Sequence, residues 1–295
     1  MGMTYINIQQ LTKDFGMNRG VFNLNLSIEQ GTVFGFVGTN GSGKTTTLRH
    51  LMGFIQPQKG SASINGLDCW QDAALLKKYI GYIPGEIAFP EAKTGTEFLQ
   101  RQAELLGIKN SDYMNTLIAR LQLDPTADLK RMSKGMKQKT AIVAALMADP
   151  QVLLLDEPTT GLDPLMRNAF IEILEEEKRK GKTIFMSSHM FDEVEQICDY
   201  VALIKDGRML DVKKMADIKQ RPEKHFEITF TSDEGYKHFM NESLKIISMQ
   251  PEKNRVIVQM MNHELNSLFS LLKNYSIQQL SEHKYTVADY FKSLY

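Results

Sequence analysis

The spacing of apolar and polar positions changes several times along this chain, and each change marks an element. Tyr5–Gln9 and Leu24–Ile28 alternate apolar with polar residues, whereas Val33–Val37 is apolar throughout and ends on glycine. Alternation predicts half-buried strands, and the unbroken run predicts a strand buried on both faces of a parallel sheet. From Thr45 to about Phe54 the period is helical. Ser61–Ile64 followed by Asn65-Gly66 reads as a strand entering a hairpin turn. Between about 90 and 150 the segments EFLQRQAELLG, SDYMNTLIARLQL and MKQKTAIVAALMA carry helical spacing, which predicts a helical insertion.

Beyond it, VLLLDE, LMRNAFIEILEEEKRK, TIFMSS, FDEVEQICD and YVALIKDG alternate strand with helix. That order predicts a parallel sheet with helices on both faces. Asp163 is placed to cap the first of these helices, with Pro164 in its first turn and Gly181 just past its end. Its charged run Glu175–Lys180, EEEKRK, reads as a solvated face, since opposite charges at helical spacing stabilise exposed helices. Near 215–225 the composition turns polar, in KQRPEK, and a second unit begins. There FEITF and RVIVQM predict strands and NHELNSLFSLLKNY an amphipathic helix, a small α+β module without a chemical motif. The expected division is 1–220 and 221–295, with the helical subdomain at about 90–150.

Bulk properties narrow the partners. Apolar residues make up 42% and charged residues 24% of the 295, ordinary values for a globular chain with a sizeable core. Lys+Arg and Asp+Glu are both 35, so no global basic field points to nucleic acid or an anionic membrane surface. Cys69 and Cys198 lie far apart without metal-ligand spacing, as expected of a reduced setting. No stretch approaches the roughly 18 uninterrupted apolar residues of a membrane span. The N-terminus has no secretory pattern, and Ile6 stands where a myristoylation motif has Ser or Thr. A role at a membrane therefore calls for a partner.

Chemistry concentrates in three places. Gly38-Thr39-Asn40-Gly41-Ser42-Gly43-Lys44-Thr45 fits G-x-x-x-x-G-K-[ST] between a predicted strand and helix. Its backbone N–H groups can turn onto phosphate oxygens at a helix start, with Lys44 reaching the β- and γ-phosphates and the Thr45 hydroxyl ligating Mg²⁺. Asp156 ends an apolar strand, where it can hold the metal, and Glu157 beside it can polarise an attacking water. Adjacent carboxylates repel each other without a cation, although in isolation they could simply cap the following turn. His189 follows TIFMSS, at a strand end that would face the same crevice and a γ-phosphate.

Together these residues resemble one family, the ATP-binding subunits of ABC transporters. The resemblance covers about residues 4–215. It rests, in order, on the Walker A loop Gly38–Thr46, the signature-like MSKGMKQ (Met132–Gln138), the Walker B strand Val152–Glu157, the D-loop-like Thr160–Asp163 and His189 at the switch position. The family implies an α/β P-loop NTPase with a mostly parallel sheet, an antiparallel β subdomain and a helical insertion, here followed by the small α+β domain. It implies ATP and Mg²⁺, with Thr46 completing the loop and Phe15 at the adenine-stacking position, where plain packing is the alternative.

It also implies a head-to-tail dimer in which Ser133, Lys134 and Gly135 of one chain meet the nucleotide held by the other. By itself Ser-Lys-Gly is an ordinary helix cap, and Lys134 replaces the family's commoner glycine. A homodimer is expected, with a heterodimer open, together with a polytopic membrane permease and no nucleic acid. The expected location is cytoplasmic, peripheral on the inner membrane face through that partner. The signature turn, the IGYIPGE loop and the C-terminal module resemble exporter-type subunits for drugs, peptide antibiotics or lipids. One departure stands out: Gly85-Glu86 follow Pro84 where the family places a metal-site glutamine, and the role of Glu86 is left open. Rival readings are an ATPase acting on nucleic acid or the ribosome, or a regulator of a membrane protein. A single Walker A loop, a short insertion and zero net charge weigh against the first.

Overall fold

A computed structural model describes residues 4–219, 223–283 and 286–293. The chain divides into two compact units, Met1–Lys214 and Met215–Tyr295. Of the polar KQRPEK run expected to separate them, positions 220–222 lie outside the described residues.

In the first unit the order is β1 (Thr4–Asp14), β2 (Gly20–Glu29), β3 (Val33–Val37), α1 (Lys44–Leu51), β4 (Lys59–Ile64), β5 (Leu67–Asp68), α2 (Ala73–Leu76) and β6 (Ile80–Ile83). The helices α3 (Gly95–Leu105), α4 (Asp112–Arg120) and α5 (Lys134–Leu146) follow as the insertion. Then come β7 (Val152–Asp156), α6 (Pro164–Arg179), β8 (Thr183–Ser188), α7 (Phe191–Ile197), β9 (Tyr200–Lys205) and β10 (Arg208–Lys214). Two sheets result. One is antiparallel, in the order β2-β1-β4-β5. The other runs β10-β9-β3-β8-β7-β6, parallel except for β10, which pairs antiparallel with β9. This is the α/β architecture expected of the chain, including the antiparallel subdomain and the helical insertion.

Sequence chemistry explains the central strands. All residues of β3, β7 and β8 are buried, as expected of strands with apolar centres in a parallel sheet covered on both faces. Because β8 lies between β3 and β7, the pairs Val37↔Ser188 and Asp156↔Ser187 bring three carboxyl ends to one edge. Ligand crevices of open α/β sheets form at such edges. Asp163 caps α6 by accepting from Met166 N at 3.0 Å, ahead of Pro164, and Gly181 follows with φ 82°. Ser133 caps α5, accepting from Met136 N at 3.2 Å.

The charged run on α6 keeps the expected solvated face at Glu175, Arg179 and Lys180, which are exposed, and departs from it at Glu177. Glu177 is fully buried and accepts from Tyr113 Oη at 2.8 Å and Lys180 Nζ at 2.7 Å, and it also pairs with the buried Lys182. Glu176 meets Arg120 at 2.6 Å. Helix α4 supplies Tyr113 and Arg120, so the insertion covers part of a run that looks wholly solvated on a single helix.

In the second unit, α8 (Met215–Lys219) precedes β11 (Glu223–Phe230), α9 (Asp233–Phe239), β12 (Lys245–Gln250), β13 (Arg255–Met261), α10 (Leu265–Leu272), β14 (Ile277–His283) and α11 (Val287–Ser293). From β11 to β14 the order is β-α-β-β-α-β, and the sheet is antiparallel with order β12-β13-β11-β14. This is a split βαβ, or ferredoxin-like, arrangement. Phe226, Ile228, Phe230, Phe239, Val256, Val258 and Leu268 form its own core.

Candidate nucleotide site

The crevice at the sheet edge is built from β3, β7 and β8. Leaving β3, the chain turns through Gly38–Gly43 into α1, with Gly43 at φ 110° as the capping residue. Lys44 folds back over this turn, is 5% exposed, and donates from Nζ to Gly38 O at 2.8 Å and Thr39 O at 3.2 Å. Its ammonium also lies 3.4 Å from Glu157 Oε1. Bound phosphate would compete for all three contacts, since each is a polar oxygen held where an anion would sit.

Asp156 is fully buried, and its Oδ1 accepts from Ser187 Oγ at 2.6 Å. Its Oδ2 is buried with no hydrogen-bond partner among the described residues. A carboxylate oxygen is expensive to bury unpaired, so this atom fits a cation that ligand binding would bring. Nearby, burial pushes the Tyr82 phenol up to about 12, the Asp156 carboxylate adds to the rise, and Arg49 opposes it.

Glu157 has φ 49°, a left-handed conformation that non-glycine residues seldom adopt. Its N–H donates to Ser187 Oγ at 3.0 Å and to Ser187 O at 3.2 Å. The carboxylate is thereby placed between Lys44 and His189, whose Nδ1 lies 3.1 Å from Glu157 Oε2. His189 is half-exposed; it does not line the cleft itself and joins the site through Glu157. A carboxylate, an ammonium and an imidazole thus meet where a reacting phosphate would sit, a set able to orient water and stabilise developing charge.

The cleft measures about 640 Å³, within the range of small-molecule sites. Phe15, Asn40, Gly41, Gly43, Lys44, Thr45, Thr46, Asp156 and Glu157 all line it, as expected. Phe15 is exposed at its edge, with Lys13 Nζ at 5.9 Å from the ring centroid. Gly38, Thr39 and Ser42 belong to the turn without lining the cleft. Ser133, Lys134, Gly135 and Asp163 are not among its lining residues either, and sit instead at the starts of α5 and α6.

Sequence reasoning passed over Arg19, Arg49, Asp206 and Ser187. The first three line the cleft but belong to no motif. Ser187 carried a usable signal, being a polar residue at the end of a buried strand. The loop after β6 also enters: Gly85 and Glu86 line the cleft. Gly85 passes so close to Asp156 that a Cβ there would lie 2.9 Å from Oδ2. Its neighbours Pro84 and Ile87 line a second, largely apolar groove of about 340 Å³ with Phe89, Phe98 and Ala145.

The chain matches the ABC transporter family over residues 21–160. It is 31% identical to the bacitracin transport ATP-binding protein BcrA of Bacillus licheniformis, over 99% of this chain and 97% of that one. A solved ATP-binding subunit of an ABC transporter is 29% identical, covering 74% of this chain and 92% of its own, with a TM-score of 0.68. The ATP-binding cassette MJ0796, solved as a dimer with ADP and Pi, shares the fold at 21% identity and a TM-score of 0.64, covering 71% of this chain and 98% of its own. No helix among the described residues is long and apolar enough to cross a membrane.

Proposed function

The chain belongs to the ATP-binding proteins of ABC transporters, and on that premise we propose that this ATPase works as a head-to-tail dimer driving export through a separate membrane subunit. The observation that carries the dimer is a separation within one chain. The phosphate cradle, Asp156 and Glu157 line one cleft, and His189 is held against Glu157 at 3.1 Å, whereas the signature turn Ser133–Gly135 is not part of it. A capped helix start with accessible N–H groups is suited to a γ-phosphate, and one held by a second chain satisfies both halves.

Within the site, Lys44 releases Gly38 O, Thr39 O and Glu157 to take the β- and γ-phosphates. Glu157 orients and deprotonates the attacking water, and His189 holds the carboxylate from its other side while contacting the γ-phosphate. Thr45 Oγ1 and the unpartnered Asp156 Oδ2 would hold Mg²⁺, which supplies positive charge against the phosphates. Phe15 offers an aromatic face for adenine, and Arg19 and Arg49 add positive charge to the cleft walls. Ser133, Lys134, Gly135 and Asp163 act across the dimer.

The loop Pro84–Ile87 supports coupling to a permease, because its middle residues line the nucleotide cleft and its outer ones the apolar groove. A helical segment of the membrane subunit would occupy that groove. Similarity to a bacitracin transport protein along both units supports a peptide-antibiotic type of cargo. The second unit, with its own core and no chemical motif, is assigned to dimerisation or partner docking.

The test is Glu157→Gln. The variant should bind ATP, turn over at least about a hundredfold more slowly, and elute as an ATP-dependent dimer in size-exclusion chromatography. A monomer with ATP bound and normal turnover would refute the mechanism.

A further inference from the structure

Gln138 closes the MSKGMKQ run and is 3% exposed, on the helix whose start carries Ser133. Its Nε2 donates to Pro158 O at 2.6 Å. Pro158 directly follows Glu157, whose left-handed φ of 49° must be held by its surroundings. Ser187 secures the Glu157 N–H side, and Gln138 secures the carbonyl just beyond it.

Two further contacts join the same segments. A Cβ on Gly135 would lie 2.8 Å from Gly161 O, so the signature turn and the turn after Glu157 touch backbone to backbone. Gly161, at φ 88°, in turn faces the Lys134 stem, where a Cβ would come within 2.9 Å of Cγ. On the far side, Thr159 Oγ1 donates to Glu193 Oε1 at 2.6 Å, and the Ser188 hydroxyl lies 3.1 Å from Glu193 Oε2. Glu193 is 3% exposed, and Ser188 immediately precedes His189. Residues 158–161 therefore form a bridge, held by α5 at one side and by the base of His189 at the other.

We infer that Gln138 is a positioning residue: it fixes the backbone that aims Glu157 and passes the seating of Ser133–Gly135 on a partner's nucleotide to the carboxylate of its own site. Gln138 touches neither substrate nor the reacting atoms. The inference rests on Glu157 being the catalytic carboxylate, so both must be tested in parallel.

In the full-length protein, Gln138→Leu removes the donor and leaves the Pro158 carbonyl buried and unpaired. The rate constant kcat should fall about tenfold, equivalent to about 1.4 kcal/mol. KM and the Kd for MgATP should stay within about twofold, because the cradle is untouched. Gln138→Glu supplies a second readout. A buried carboxylic acid can donate to Pro158 O only when protonated, and burial raises its pKa. Its kcat, relative to the parent, should therefore rise as pH falls from about 8 to 6, a profile that general loosening of the fold would not produce. Parent-like kcat in a folded Gln138→Leu protein overturns the inference. So does a change confined to KM, or a Gln138→Glu profile parallel to the parent's. Normal turnover by Glu157→Gln overturns instead the assignment of Glu157. Inactive Glu157→Gln beside a parent-like Gln138→Leu removes only the role given to Gln138.

Discussion

Replacing Glu177 with alanine should cost the nucleotide-binding unit about 3–5 kcal/mol of stability, although the residue lies outside the ATP site. Glu177 is fully buried, and Lys182, its closest partner, is only 2% exposed. Truncation leaves the Lys182 ammonium buried, with Asp149 as its remaining carboxylate. Asp149 is largely exposed, so solvent screens its compensation. Tyr113 also loses its acceptor, but it is half-buried and can turn to water, so it adds little. For a unit of this size each kcal/mol shifts Tm by about 2–4 °C, which predicts a fall of roughly 6–20 °C. Thermal unfolding followed by circular dichroism measures it, and the transition that ATP raises identifies the unit concerned.

The same pair predicts a pH dependence. Burial opposes ionisation of Glu177, but hydrogen bonds from Lys180, Lys182 and Tyr113 outweigh it and hold the carboxyl below the ordinary glutamate range. A depressed folded value contributes stability that is complete above the unfolded value, near pH 4.3, and lost as pH falls through the folded one. The gap between parent and Glu177→Ala should thus be constant from about pH 8 to 5 and narrow below about pH 4. Tyr113→Phe, which leaves both lysines in place, should cost only about 1 kcal/mol. A Glu177→Ala loss under about 0.5 kcal/mol would refute the reasoning, since that is the scale of an unremarkable surface substitution.

Other expectations follow from the site. Lys44→Ala should abolish hydrolysis in a coupled-phosphate assay, because no other described ammonium crosses the cradle turn; unchanged turnover would remove the assignment of Gly38–Thr46 to phosphate. Lys134→Glu should leave nucleotide binding by single chains intact and weaken ATP-dependent dimerisation, measured by analytical ultracentrifugation. A dimer of parent strength would show that the charge at this turn faces no phosphate. Truncation after Lys214 should retain ATP binding, because the first unit holds the whole cleft, while lowering dimer affinity or permease-coupled activity. Full coupled activity in the truncated chain would refute a docking or assembly role for the second unit.

The strands of the nucleotide-binding unit that were legible are those with strong local signals. Val33–Val37 and positions 152–155 are apolar throughout, and Thr183–Ser188 has an apolar centre with polar ends, because both faces of these strands are covered; no partner needs to be known to read them. Other strands were not. Those at Arg208–Lys214, Lys245–Gln250 and Ile277–His283 all stand at sheet edges, where few apolar residues are needed and the alternating pattern fades. The helix at Asp233–Phe239 is too short for its period to declare itself.

What the chain's residue order determined was therefore the local chemistry: a glycine-rich turn ending in Lys44-Thr45, two carboxylates closing an apolar strand, a capped Ser-Lys-Gly helix start. Each lies within a few residues, and its physics needs no distant neighbour. Tertiary structure alone decided the rest. Strand order set Asp156 beside Ser187 and brought His189 to Glu157, a contact across 32 positions of chain. Packing of the insertion buried one residue of a charged helix run, pairing Glu177 with a tyrosine 64 positions away. It also put Gln138 beneath Pro158, 20 positions on. Burial depends on which element comes to cover a side chain, and period along one helix or strand holds no information about that partner.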